Sequence, residues 1–559
     1  VFVVQIIIPM SGFGERFRRA GYDVPKPLIE LEGRPMIAHV LEMFPGEEDV
    51  IFVCNREHVS DPAYGMARIL QELCPTGQMV TIDPHKFGPV HAIQQARDFI
   101  NLDIPTVVNY CDFTCLWDWS HFKWFVEEAQ CAGAIPAYRG FHPHSLGTTN
   151  YAYLRESKGW VTEIQEKQPF TEDRMNEYAS SGTYYFSSGR VMLESFDQMV
   201  SRDLNVGGEF YVSLAYRTLL EHYPKVAVYP IQYFLQWGTP EDVADYRNWS
   251  ETFRGLVSQP PAPTSPVGSA IVPMAGLGKR FADDGYVTPK PLIQVSGAPM
   301  VLQATRDLPG ACAHAFVLRG DMPGHQHIQA VLNQEFSPAA IEAVSEVTDG
   351  QAISALLGLD AISRTISSIP EPLTFGTCDS GMLYDRAAFD ALVSNPAVDV
   401  VVWAIRGYGN AIRFPHMFGW LDVEGNDVLR VSVKEPLDDP TDDPVAIGTF
   451  TFRRAVDFKM CVDHMISRDG RVNGEFYLDE CVNDALEIGL CVKVFEIESY
   501  LAWGTPNDLR TFEYWQGAFD IWEGHPYRLD WDRRVEPPQV QSLRQKYALV
   551  TPQIWDNEI

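Results

Sequence analysis

The chain offers its first chemistry just after an apolar run at residues 1–8, where Met10, Ser11, Gly12, Gly14 and Arg16 follow in close order. The two glycines let the backbone turn tightly and turn N–H groups toward an anion, and a helix start is expected directly after them. Arg16 adds a planar fork of donors that matches phosphate oxygens. Ten residues on, Lys26 stands between Pro25 and Pro27, whose restricted backbone can aim its ammonium. Together these residues form a set suited to handling phosphate. The Gly-x-Gly alone is weak evidence, because Phe17 occupies the place of the third glycine of a dinucleotide fingerprint and Walker A spacing is absent.

The set occurs twice. Met274, Ala275, Gly276, Gly278, Arg280 and Lys290 repeat it, with Arg280 lying 264 positions after Arg16 and Lys290 264 after Lys26. Further on, Asp379 follows Asp112 and Lys434 follows Lys167 at a spacing of 267, while Gly-Glu-Phe-Tyr and Trp-Gly-Thr-Pro recur at 266. So steady an offset over most of the chain implies duplication of a whole domain rather than chance likeness of one loop.

These residues need elements to hold them. Short apolar runs alternate with helical patterns in each repeat, which predicts strand–helix–strand units around a largely parallel sheet. Ligands in such sheets bind beyond the carboxyl ends of the strands, where the loops after Ile8 and Tyr110 should fall. The expected organisation is a first domain over residues 1–257, a Pro/Ser-rich linker over 258–267 and a second domain over 268–515. An aromatic-rich tail over 516–559 is expected to pack back on the second repeat or on a partner subunit, so a homo-oligomer stays open.

Bulk composition narrows the function. A net charge of -30 argues against a nucleic-acid partner, although a basic pocket can sit inside an acidic shell. The 10 cysteines are scattered without zinc-ligand spacing and read as buried reduced thiols. No apolar run reaches the roughly 20 residues needed to span a bilayer, and the short apolar start lacks the basic flank of a signal peptide. The expected location is cytoplasmic.

The opening Gly-x-Gly-x-Arg…Pro-Lys-Pro-Leu, with Gly88-Pro89-Val90-His91-Ala92, Asp112, Glu166-Lys167, Ser181-Gly182-Thr183 and Trp237-Gly238-Thr239-Pro240, resembles the sugar-phosphate nucleotidyltransferase (pyrophosphorylase) family. The flavour is that of members linked to capsule and surface polysaccharides, and the resemblance covers nearly all of both repeats. It implies two tandem Rossmann-like, GT-A-like domains with mostly parallel central sheets. It also implies transfer of a nucleotide from an NTP to a sugar 1-phosphate or similar phosphorylated small molecule, with release of pyrophosphate.

By that resemblance Arg16 and Arg280 hold the triphosphate, and Lys26 and Lys290 contact the reacting phosphates. Lys167 and Lys434 meet the acceptor's phosphate. Asp112 and Asp379 bind Mg²⁺, a hard cation that prefers oxygen ligands. Gly88 and Gly350 lie beside the base, and Gly182 lets the acceptor approach the backbone. His85 and His91, near that loop, read as structural.

One departure stands out. Family members place a second metal-binding aspartate before the late Gly-Thr, where this chain has Gln236 and Ala502; Glu209 is the substitute candidate. The repeats also differ, since Val433 replaces Glu166 and Gly350-Gln351-Ala352 replaces the Gly88 loop. Two other readings stay open: a GT-A glycosyltransferase, or one catalytic repeat with the other regulatory.

Overall fold

The computed structural model describes residues 3–147, 150–258 and 265–554; positions 259–264 of the expected linker lie outside the described residues. The chain divides into two compact units. The first comprises Val1–Ser250, Gly517–Pro526 and Tyr547–Ile559, and the second Glu251–Gln516 and Tyr527–Lys546. The boundary differs from the expected one, because a continuous helix runs Pro240–Ser258 through it.

In the first unit ten of the described strands form one sheet. From one edge the order is Gln78–Ile82, Val50–Asn55, Gln5–Met10 and Thr106–Asn109, all parallel. Strand Val50–Asn55 is buried at every position, as expected where helices cover both faces. Next come Thr183–Phe186, Gly133–Tyr138, Val226–Pro230, Trp160–Glu166, Ala152–Ser157 and Tyr178–Ser180. This half is mixed: Thr183–Phe186 runs against both neighbours, while Gly133–Tyr138 and Val226–Pro230 are parallel.

One antiparallel pair, Ala152–Ser157 with Trp160–Glu166, has a local cause. Ser157 pairs with Trp160 across a two-residue loop, and Lys158 and Gly159 both take positive φ (51° and 81°). Paired left-handed residues are the signature of a tight hairpin turn. The hairpin carries Lys167 out from the end of its second strand.

The second unit repeats this order: Ala339–Val344, Ala313–Arg319, Ser269–Pro273, Leu373–Phe375, Val445–Phe452, Val400–Ile405, Val492–Glu496, Asp427–Val433 and Gly419–Glu424. Nine strands follow one order in both sheets; the long Val445–Phe452 also pairs with Gly419–Glu424, the place that the separate strand Tyr178–Ser180 takes in the first unit. The tail corrects the expectation for it. Trp522 lies in the first unit, its ring 5.2 Å from His39 and 6.2 Å from Trp237, because the core there leaves an aromatic-lined place for it. Only Tyr527–Lys546 belongs to the second unit, where Arg534 donates to Asp307 at 2.7 Å. The cysteines are free, and all are buried or half-buried except Cys312, which is exposed.

Candidate functional site

In each unit, strand ends bring several of the residues expected to handle phosphate to one mouth. The first strand of unit one ends at Met10 and a short helix starts at Glu15, with Gly14 in left-handed conformation (φ 64°) between. Gly278 does the same before Lys279 (φ 61°). A Cβ on Gly14 would touch the stem of Lys26 at 3.9 Å, so the loop rests on the lysine it works with.

Lys26 Nζ donates to Asp112 Oδ2 at 2.7 Å. Burial opposes the charge on Lys26, but the Asp112 carboxylate outweighs it and holds the ammonium's pKa above the ordinary lysine value. The second unit repeats the pair, Lys290 Nζ to Asp379 Oδ2 at 2.5 Å. There burial would raise Asp379, yet Lys290 reverses the effect and the carboxyl lies below its usual range. The neighbouring thiols are pushed up to about 12 by burial at Cys111 and at Cys378, which leaves them protonated and inert at neutral pH.

A cavity of about 450 Å³ opens over the first pair, lined by Met10, Ser11, Gly12, Gly14, Arg16, Lys26, Gly88, Asp112, Glu209 and Gly238. One of about 360 Å³ opens over the second, lined by Met274, Gly276, Gly278, Lys290, Gln351 and Asp379. Ala275, Arg280 and Gly350 are not part of that lining, though the charge of the exposed Arg280 acts on both Lys290 and Asp379. At the first rim His85, Phe87 and His91 form a ring cluster, with His85 and Phe87 stacked at 13°.

Two glycines owe their identity to packing. A Cβ on Gly88 (φ 87°) would come within 2.8 Å of the Phe210 backbone, and one on Gly350 (φ 129°) within 2.5 Å of Phe476. The Gly-Glu-Phe-Tyr segment therefore clamps the loop: Phe210 N donates to Phe87 O at 2.9 Å, and Phe476 N to Asp349 O at 2.9 Å. Gly182 lies outside the cavity lining and abuts Phe113 and Tyr110, where a Cβ would meet the Phe113 ring at 2.9 Å.

Lys167 and Lys434 lie outside the cavity linings and follow directly on the second strands of their hairpins, both left-handed (φ 59° and 64°). Non-glycine residues are held in that conformation at some energetic cost, and such positions cluster at working sites. Lys167 Nζ donates to the Tyr211 hydroxyl at 2.5 Å, which donates in turn to Glu209 Oε2 at 2.8 Å. That chain ties Glu209 to the lysine. Lys434 Nζ instead donates to Met417 O at 2.5 Å, and burial, partly offset by Asp479 and Glu475, leaves its pKa below the ordinary value.

The structure brings forward a residue that motif reading missed. A single point above Gly238 lies 3.4 Å from Asp112 Oδ2 and 3.7 Å from Asp242 Oδ2. Asp242 Oδ2 also accepts from Thr239 N (2.9 Å) and Oγ1 (2.8 Å), a capping box at the helix start. Burial raises its pKa, helped by the Asp112 charge. Asp508 repeats this beside Asp379, bound by Thr505 N at 3.0 Å. The recurrence of Thr-x-x-Asp after both Trp-Gly motifs was the available signal.

A family model described as a MobA-like NTP transferase domain matches residues 6–173, which hold Arg16, Lys26, Asp112 and Lys167. Among curated proteins, the bifunctional protein GlmU of Fervidobacterium nodosum is 23% identical over 210 residues, covering 38% of this chain and 42% of that protein. GlmU of Ralstonia pickettii is 25% identical over 244 residues, covering 42% and 48%. The chain thus spans less than half the length of these relatives. Among solved structures, the nucleoside-diphosphate-sugar pyrophosphorylase from Vibrio cholerae RC9 is 18% identical with a TM-score of 0.36, covering 43% of this chain and 99% of that one. The inositol-1-phosphate CTP transferase from T. maritima is 18% identical with a TM-score of 0.36, covering 47% and 99%.

Proposed function

We propose that this chain is a nucleotidyltransferase that joins the nucleotide of an NTP to a phosphorylated small molecule and releases pyrophosphate. The observation that carries the reading is the doubled lysine–aspartate pair, each set under a glycine loop at the mouth of a cavity. In-line attack on an α-phosphate needs positioning and charge neutralisation more than covalent help. Lys26 is a permanent cation fixed to within a hydrogen bond of its carboxylate, and Arg16 lines the same cavity. The family match to the first unit supports the same chemistry.

Asp112 and Asp242 would hold Mg²⁺ in the first unit, and Asp379 and Asp508 in the second. The donor sets fit: in each, two half-buried carboxylates share one region, and carboxylate oxygens suit a hard cation. Bound there, Mg²⁺ supplies neutralisation of phosphate charge. The protein's own parts do the remaining work: Arg16 and Lys26 grip the triphosphate and steady the departing pyrophosphate, and Lys167 orients the acceptor's phosphate. A sugar 1-phosphate as acceptor and a place in surface-polysaccharide synthesis rest on the motif resemblance.

The test is pyrophosphate release with each NTP, Mg²⁺ and a panel of phosphorylated acceptors that includes glucose 1-phosphate and phosphocholine. Release that Arg16→Ala and Arg280→Ala each diminish is the expected result. Silence across the panel sinks the proposal.

A further inference from the structure

The two units differ at three positions on the acceptor side, and the differences compensate one another. In the first unit Glu166 lies directly across the hairpin from Ala152, and its Oε2 accepts from Ser213 Oγ at 2.5 Å. In the second unit the corresponding cross-strand pair is Val433 and Gly419, and the serine's place on the packed helix is taken by Asp479. Residues directly opposite in an antiparallel pair point to one face, so each trio shares one region of space. A Cβ on Gly419 would overlap the Asp479 carboxylate, and the glycine therefore makes the room that the aspartate occupies.

Thus the strand loses its carboxylate, the helix gains one, and the facing residue shrinks to admit it. Both carboxylates stand beside the hairpin lysine: the Glu166 charge is felt with that of Lys167, and the Asp479 charge with that of Lys434. A carboxylate supplied from a strand in one unit and from a helix in the other approaches that space from a different side. A degenerate site would have no reason to keep it.

We propose that Asp479 is the specificity-determining acceptor residue of the second unit, doing from the helix what Glu166 does from the strand. The second unit accordingly binds its own phosphorylated small molecule, one whose phosphate meets Lys434 and whose hydrogen-bond donor meets Asp479. That donor is a hydroxyl of a sugar or polyol phosphate, or the ammonium of an amino-alcohol phosphate; a carboxylate accepts from either. The inference rests on the nucleotidyltransferase reading for the identity of the acceptor side.

Its readout is binding, which separates it from the pyrophosphate test above. In the full chain carrying Lys167→Ala, to silence the first acceptor site, glucose 1-phosphate and phosphoethanolamine are titrated calorimetrically with Mg²⁺ and a non-hydrolysable NTP analogue present. At least one probe is expected to bind, and the responding probe distinguishes hydroxyl from ammonium. Asp479→Asn should weaken that binding at least tenfold while Glu166→Gln changes it less than twofold.

The combination Gly419→Ala, Val433→Glu, Asp479→Ser rebuilds the first unit's arrangement in the second and should restore binding lost in Asp479→Asn. If Asp479 serves only as a favourable charge in the first turn of its helix, Asp479→Asn will lower the melting temperature and leave binding unchanged. That result overturns the proposal, as does the absence of binding by both probes.

Discussion

Lys26 Nζ and Asp112 Oδ2 stand 2.7 Å apart although 86 residues separate them in the chain. The pair is largely buried, with side-chain exposures of 26% and 24%. Lys26→Met should cut pyrophosphate release by the first unit at least a hundredfold, measured with Arg280→Ala present to silence the second. It should also cost about 3 kcal/mol of stability, because the remaining carboxylate is left mostly buried without its counter-charge. Adding Asp112→Asn should recover much of the stability and none of the activity.

One member of each unit's lysine–aspartate pair, Lys26 in the first and Asp379 in the second, sets one side of a pH window. Lys26 has its pKa raised, so its stabilisation is complete below the ordinary lysine value and is lost as pH rises through the higher folded value. Asp379 has its pKa lowered, so its contribution is present above the ordinary carboxyl range and is lost as pH falls through the lower folded value. The expected stability contribution from these pairs is therefore flat from pH 5 to 10. A melting curve that moved within that window and stopped moving in Lys26→Met would contradict the assignment.

His142 predicts a slope inside it. Burial pushes this imidazole down to about 4, with Nε2 against Gln232 O at 2.9 Å. The unfolded chain takes up a proton near pH 6.5 and the folded chain only near pH 4, so stability falls as pH drops between those values. The loss is on the order of 3 kcal/mol from this ring, and burial acts on His144 in the same direction. His142→Gln should flatten part of the acid limb of a melting-temperature profile.

Asp242 is expected to be more than a helix cap. Asp242→Asn should raise the Mg²⁺ concentration for half-maximal pyrophosphate release at least tenfold in the first unit. Loss of the capping interaction alone would cost about 1 kcal/mol and leave the Mg²⁺ titration where it was. The titration midpoint therefore decides between the two roles.

Gly88→Ala should destabilise the first unit by roughly 1–3 kcal/mol, since a Cβ would press on the Phe210 backbone from a positive-φ position. Release of pyrophosphate should fall with it, because the displaced loop lines the cavity. A variant as stable as the parent would mean that Phe210 is not the clamp.

Much of this was legible in the residues. A constant offset predicted a repeated order of elements, and nine strands of each sheet follow one order. Arg16 and Lys26 could be read together because they lie close behind the first strand and recur at that offset, whereas Asp112, 86 residues beyond Lys26, could be read only through its repeat at Asp379. Asp242 escaped because a motif fixes a position in sequence, while a carboxylate can reach the same space from six residues further along, once a helix begins at Pro240. Asp479 escaped for the same reason on a larger scale, since its equivalence to Glu166 exists only after a helix and a hairpin have packed together. The antiparallel hairpin of the first sheet was hidden by its turn of Lys158 and Gly159, which is not among the commonest turn dipeptides. The tail was misplaced because aromatic content predicts that a segment will bury itself, not which core will receive it.

That tail bears on how the protein comes into being. Trp522 and Phe519 belong to the core that also holds Tyr246 and Trp237, and the Tyr233 hydroxyl donates to Tyr547 O at 3.2 Å in a buried setting. The first unit is therefore completed by residues that follow most of the second unit in the chain. On the ribosome, the N-terminal sheet must wait with an aromatic gap open until the whole of the second unit has been made. A chain cut after residue 257 would lack Phe519 and Trp522 from that core and is expected to be less stable than the full chain.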